Sequence, residues 1–221
     1  MFPIVKLKPV DNILSTNKLK YIGLVISIWL CFSPLFADDA AFVKYVIDGD
    51  TVILKNNEKL RFIGIDTPEI DHENKNAEPL GYAARSLNLK LLGSKRIRLE
   101  YDQEKRDHYN RLLAYVYLPD GTFVNMVLLR SGMGTYLHKP PNLKHSERLL
   151  KAQREAMSER KGIWHAWSEA KQSYVGNQKS KRFHRTKCRY GKKTASANRI
   201  SFSRKWDAYW EGYSPCKKCL K

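Results

Sequence analysis

The sequence predicts an α+β domain followed by a small, basic module that carries most of the cysteines. Three observations lead there. Apolar, Val- and Ile-rich runs of strand length fill residues 42–65. Helical spacing takes over at 80–91 and again at 145–160, with further strand-like runs between. Positive charge and three of the four cysteines gather after residue 170.

Each element has its own signal. Residues 42–54 read as one strand, the polar cluster Lys55-Asn56-Asn57-Glu58 as a turn, and 60–65 as a second strand, which together make a hairpin. Pro68 ends that strand, and EIDHENKNAE is a polar loop without periodicity. Leu80, Ala83, Ala84, Leu87 and Leu91 share one helical face, with Pro79 in the first turn and Gly93 at the stop. Residues 97–101 alternate as a strand, YDQEKRDHYNR is a charged loop, and 112–118 is another strand. Asp120-Gly121 turns it into a short strand at 122–124. A short helix at 124–130 closes at Gly132. A longer one at 145–160 aligns Leu149, Ala152 and Ala156, and Gly162-Ile163-Trp164 locks its end. His145 reads as a terminal-turn residue without a catalytic part. The domain so defined spans 38–167. Residues 168–178 are polar and aperiodic, the expected linker. The remaining segment, 179–221, is too small for a self-sufficient core.

Of the net charge of +18, residues 171–221 hold 15 Lys and Arg against 2 acids. Residues 38–170 are nearly balanced, with 21 basic and 19 acidic. The positive field therefore belongs to the tail and calls for a polyanionic partner. Nucleic acid is the economical choice, and a membrane surface or acidic wall polymer the competing one. The tail's aromatics, Phe183, Tyr190, Phe202, Trp206, Tyr209 and Trp210, interleave with its cations, as suits backbone tracking plus base stacking. For Trp206 and Tyr209 a place in a mini-core is the favoured alternative.

Residues 21–37 carry no charge, follow scattered lysines and are interrupted by Pro34. The run is shorter than the ~20 residues of a bilayer-spanning helix and ends at Ala37 before Asp38 and Asp39. It reads as a secretory signal over residues 1–37, giving a secreted or periplasmic protein; the alternative is an uncleaved anchor facing outside. A membrane partner follows only in that second case, and no protein partner is inferred. After such a cut three cysteines remain, an odd number in an oxidising compartment. His184, Cys188, Cys216 and Cys219 lie in an H-x3-C…C-x2-C arrangement, two chelating turns that outline a tetrahedral zinc site. A Cys216–Cys219 disulfide with Cys188 free is the alternative.

The densest chemistry lies in VIDGDTV, residues 46–52. Asp48 and Asp50 are read as strand neighbours on one face, facing Asp66, Thr67 and Glu69 where the second strand gives out, with Arg61 on that strand. Carboxylates meeting across a hairpin repel unless a hard cation joins them, and oxygen donors suit calcium or magnesium. Asp48 itself reads as a hydrogen-bonding residue of the turn.

The ordered set DGDT, RFIGIDTPE, GYAARS, DHYNRLLAYVY, VNMVLLRSG, YLHKPPN and GIW resembles the thermonucleases, the staphylococcal-nuclease-like phosphodiesterases, over residues 43–164. The resemblance implies an OB-fold five-stranded β-barrel with about three helices. It also implies a metal-dependent endonuclease, with calcium or magnesium as the ion, that cleaves DNA and RNA with little sequence preference and leaves 3′-phosphate ends. Asp50 and Asp66 match the family's metal-ligating carboxylates, and Thr67 the residue that lends a backbone carbonyl. Glu69 matches the general base, and Arg61 and Arg111 the arginines that grip the scissile phosphate. Tyr109 and Tyr136 match tyrosines near the nucleotide, Tyr136 having core packing as its alternative. His108 stands where the best-known member has lysine and is expected to make a weaker or pH-dependent phosphate contact. The tail is similar to the small zinc-binding module of the adaptive-response DNA repair regulator, with histidine here as first ligand. That module implies a zinc-ordered nucleic-acid tether. The competing class is a binding protein on a nuclease fold without catalysis, against which the intact Asp50, Asp66, Glu69, Arg61 and Arg111 argue.

Overall fold

Strand β1 (Asp39–Val46) is the hub of a closed barrel: it pairs antiparallel with β2 (Thr51–Leu54) on one side and β5 (Arg96–Glu100) on the other. The strand order is β1-β2-β3-β6-β5, with β3 (Lys59–Phe62) joined in parallel to β6 (Leu112–Tyr117). Val43, Val46, Val52, Leu54, Leu60, Phe62, Ile97, Leu99, Ala114 and Val116 form the barrel core, Val43 and Val46 both turning inward because the β1–β2 register shifts between Val43 and Tyr45. The computed structural model describes residues 39–71, 76–169 and 172–220. The signal-or-anchor segment and Cys31 lie outside these.

Three α-helices accompany the barrel: α1 (Gly81–Leu92), α2 (Val124–Arg130) and α3 (Ser146–Ser158). A 3-10 turn, Gly162–Trp164, follows α3. The five-stranded barrel and its helices are those expected from the sequence. Four details differ. The run 42–54 is two strands, because the Asp48 carboxylate accepts the Asp50 N–H at 2.9 Å and turns the chain between β1 and β2. Asp48 and Asp50 therefore do not share a strand face. The run 60–65 breaks at Gly64 (φ 77°), after which β4 (Ile65–Asp66) pairs with β7 (Thr135–Tyr136) outside the barrel. At 122–124 only a Tyr117–Phe123 bridge forms before α2 begins. Pro79 precedes α1 rather than lying in its first turn. His145 stays structural: it packs on Tyr115 and Phe123 and bonds Glu100 at 3.1 Å.

The tail folds as a four-stranded sheet, β10 (Arg199–Phe202), β8 (Tyr174–Asn177), β9 (Arg182–Arg185) and β11 (Ser214–Pro215), with short helices α4 (Arg189–Lys192) and α5 (Lys205–Trp210). Residues 39–221 form one compact unit. The stretch 168–178 contains β8, a central strand of this sheet, and Glu169, whose carboxylate accepts the N–H groups of Lys205 and Trp206 at 2.9 Å. Gly176 hides the strand from a hydropathy pattern, since a Cβ there would meet Phe202, Ile200 and Tyr213 within 2.9 Å. The tail's own core is small: Tyr174, Phe183, Phe202, Ala208 and Tyr213. A second cluster joins it to the domain, where Trp206, Tyr209 and Trp210 pack on Ala156, Met157 and Trp164.

Candidate functional site

The Asp48 turn brings Asp50 to the mouth of the barrel, where its side chain is almost wholly buried. A buried carboxylate needs full satisfaction. Asp50 Oδ2 accepts the Thr67 N–H at 2.7 Å and the Thr67 hydroxyl at 2.9 Å; Oδ1 accepts the Thr51 hydroxyl at 3.0 Å and is ion-paired with Arg61. The same guanidinium donates to Asp66 Oδ1 at 2.8 Å and to the Ile65 carbonyl at 3.1 Å. Asp66 is held from the other side by its place in β4 against β7. Its second oxygen faces Lys217 of the tail at 3.7 Å. Burial pushes the Asp48 carboxyl above its ordinary value, opposed by Arg61 and Thr51. Asn88 secures that turn by donating to the Asp48 carbonyl at 2.9 Å.

Gly49 is needed for this convergence. A Cβ there would lie 2.7 Å from the Thr67 hydroxyl and 2.8 Å from Ala84 of α1. Gly49→Ala is expected to destabilise the protein by about 1–3 kcal/mol, the usual cost of overpacking, and to displace Thr67 from Asp50. Chemical denaturation of the variant measures the first effect. A normal midpoint would show that the close approach is not required.

The other predicted residues lie around this centre. Glu69 follows Thr67 by two positions, and its backbone is pinned by Glu78: the Glu69 N–H donates to the Glu78 carboxylate at 3.2 Å, and the Glu78 N–H donates to the Glu69 carbonyl at 2.9 Å. Gly81 lets that loop pass, since a Cβ there would meet the Glu69 carbonyl at 2.3 Å. Arg111 enters β6 beside β3, with its guanidinium held by Asp107 at 2.6–2.7 Å. Burial would raise the Asp107 carboxyl, yet the Arg111 bonds hold it below its ordinary value. Tyr109 is 70% exposed, stacks near His108 and has Arg111 over its ring. Tyr136 is only 5% exposed; its N–H donates to Gln153 and its hydroxyl reaches His138 at 3.3 Å. Its ring therefore packs, and no flat face is open to a base.

Asp50, Asp66, Thr67 and Arg61 thus come together as a unit. Asp50 Oδ1 and Asp66 Oδ1 meet the two terminal nitrogens of one guanidinium, which makes the carboxylates neighbours, and oxygen donors of this kind suit a hard divalent ion. The residues present fit calcium or magnesium. Sequence reasoning missed Asp107, although its i, i+4 spacing to Arg111 was visible in DHYNR. It also missed Lys217, for which no local pattern exists.

In the tail the ligand atoms of His184, Cys188, Cys216 and Cys219 lie within 4.8 Å of one another. A tetrahedral zinc with ~2.3 Å bonds to sulfur needs ligand atoms about 3.8 Å apart, so the cluster fits after small rotations. All three cysteines are free thiols. Burial, with help from Arg182, lowers the His184 imidazole, which favours the neutral ligand form.

A family model, the staphylococcal nuclease homologue, matches residues 59–166. The thermonuclease of Staphylococcus intermedius is 42% identical over 129 residues, covering 57% of this chain and 76% of that protein. The chain belongs to the staphylococcal nuclease family. Its enzyme class is accordingly that of a nuclease, a hydrolase. The thermonuclease of Staphylococcus hyicus is 40% identical over 122 residues, covering 54% of this chain and 72% of that protein. Endonuclease YncB of Bacillus subtilis (strain 168) is 37% identical over 137 residues, 59% of this chain and 62% of its own.

Proposed function

We propose that the chain is an exported, calcium- or magnesium-dependent endonuclease. It hydrolyses phosphodiester bonds of DNA and RNA with little sequence preference, leaves 3′-phosphate ends, and carries a zinc-ordered basic module that holds nucleic acid. The observation that carries this reading is the meeting of Asp50 and Asp66 on the Arg61 guanidinium, with Thr67 fixed between them. The uncharged run at 21–37 supports export, and the excess of cations after residue 170 supports the tether.

Asp50, Asp66 and the Thr67 carbonyl would hold the calcium or magnesium, which would supply Lewis-acid polarisation to the reaction. The protein's own groups do the rest. Arg61 exchanges carboxylate for phosphate oxygens and, with Arg111, donates to the equatorial oxygens where charge gathers in the pentacoordinate transition state. Glu69 takes the proton of the attacking water as the bond to the 5′ oxygen breaks, which leaves the phosphate on the 3′ side. Exposed Tyr109 offers a face for a base, with His108 beside it. Tyr136 acts through packing, as a buried residue of the strand that pairs with the one carrying Asp66.

Supercoiled plasmid and a single-stranded RNA, each incubated with the purified chain in calcium, in magnesium and in chelator, test the reading. Loss of both substrates with a divalent ion and protection by chelator are expected. Intact substrates in every condition would leave only the non-catalytic binding protein.

A further inference from the structure

We propose that Lys217, delivered by the carboxy-terminal Cys3His module, is a substrate-contacting residue of the nuclease centre and takes a phosphate oxygen next to the bond being cut. The proposal rests on the nuclease reading above and adds to it a cation from a part of the chain that the matched family region does not include.

Lys217 Nζ stands 3.7 Å from Asp66 Oδ2, while Arg61 occupies Asp66 Oδ1. The two cations therefore flank one carboxylate, so a phosphate that took the place of Asp66 on Arg61 would lie within reach of Lys217. The Lys217 side chain is 50% exposed, so its four-carbon stem leaves the ammonium free to move a few ångströms from carboxylate to phosphate. A lysine serves as such a point-charge phosphate ligand without bidentate geometry.

The backbone beneath it is not free to wander. Ser214 donates its hydroxyl to the Tyr136 carbonyl at 3.2 Å, which ties the segment to β7 and hence to the strand that carries Asp66. The Ser214 N–H bonds Lys181 at 2.8 Å, and the Cys216 N–H bonds the Phe183 carbonyl at 2.9 Å. After Lys217 the chain turns back, with the N–H groups of Cys219 and Leu220 on the Cys216 carbonyl. On the domain side Gln153, 1% exposed, donates to the Tyr209 carbonyl at 2.6 Å while accepting the Tyr136 N–H. Arg154 donates to the Trp210 carbonyl at 2.7 Å. The lysine thus sits between two ligands of the Cys3His cluster, on a module clamped to the catalytic strand. Beside it lies a cavity of about 420 Å3 whose lining includes Arg182, His184, Tyr190, Cys216, Lys217 and Lys218, three of them basic.

The test uses the full chain and a short single-stranded oligodeoxynucleotide, comparing wild type with Lys217→Ala, Lys217→Arg and Lys90→Ala, an equal charge loss on α1. Zinc content is measured on each. Loss of one phosphate contact is expected to raise KM about 10-fold in Lys217→Ala, with kcat changed far less, because the contact holds substrate and transition state alike. The slope of log KM against log salt should fall by about 0.7, the single-strand value for one phosphate. The arginine variant should recover most of the loss, and Lys90→Ala should change neither quantity. Anisotropy of the labelled oligonucleotide in calcium-free buffer should show the same weakening of binding. Wild-type KM in Lys217→Ala, faster turnover in it, or a loss that arginine does not repair would each overturn the proposal. Absence of cleavage by the wild type would instead remove the nuclease reading, and the calcium-free binding would still judge Lys217.

Discussion

Glu69→Gln is expected to lower kcat by about 10²–10⁴-fold while leaving oligonucleotide affinity within a factor of three. The substitution keeps the shape and removes only the proton-accepting charge. The surroundings make it a clean test of chemistry. The Glu69 backbone is fixed by Glu78 and by the close pass over Gly81, main-chain contacts that the substitution leaves in place. The neighbouring Arg61 offers no such separation. Arg61→Ala would leave Asp50, almost fully buried, without its cation, and a fall in activity would mix lost phosphate binding with a misshapen site. Single-turnover cleavage with calcium, set beside calcium-free anisotropy, separates the two quantities for Glu69→Gln. Retention of turnover within threefold of wild type would assign the base elsewhere, and a matched loss of binding and turnover would make Glu69 a structural residue.

The barrel and the acidic centre were legible in the sequence for different physical reasons. Strands β3 and β5 alternate in and out of a single core, so period two survives in Leu60 and Phe62 and in Ile97 and Leu99, whereas β6 is buried without a break from Ala114 to Tyr117 and reads as a continuous apolar run. The reversal between β1 and β2 was read only in part: Asp48 stood out as a hydrogen-bonding turn residue, but Val46 and Ile47 carry the apolar run up to it and mask the break that Asp48 and Gly49 make. Short β4 and β7 were missed as a pair because two residues cannot show a period. At the site, Asp50, Asp66, Thr67, Arg61 and Glu69 cluster in sequence around one hairpin, and the hairpin itself brings them together. Lys217 comes from the far end of the chain, and its arrival depends on a tertiary interface built by Gln153, Ser214 and the Trp164 cluster. Polar residues at such an interface look like ordinary surface in a linear reading, which also explains why residues 168–178 read as a linker.

Removing one ligand of the Cys3His cluster, as in Cys219→Ser, is expected to cost the full chain its zinc, unfold the module and lower the melting temperature of the nuclease domain as well. The module's core of five residues cannot by itself offset the entropy of ordering some forty-five, and the proposed zinc, worth on the order of 10–16 kcal/mol in small zinc domains, would supply the difference. The domain suffers because the module is part of its packing. Trp206, Tyr209 and Trp210 cover Met157 and the fully buried Trp164, and Gln153 would lose one of its two backbone partners. Uncovering that apolar face at about 25 cal/mol per Å2 costs a few kcal/mol, which for a domain of this size lowers the melting temperature by about 6–12 °C. Calorimetry, zinc analysis and limited trypsin digestion, which would find the module's many Lys and Arg sites, measure the three effects. A zinc-selective chelator with calcium in excess should reproduce them in the wild type. If the thiols were instead held as a Cys216–Cys219 disulfide, chelator would do nothing and reductant would do the damage; that pattern would refute the zinc site outright. An unfolded module with an unchanged nuclease transition would refute the packing argument alone.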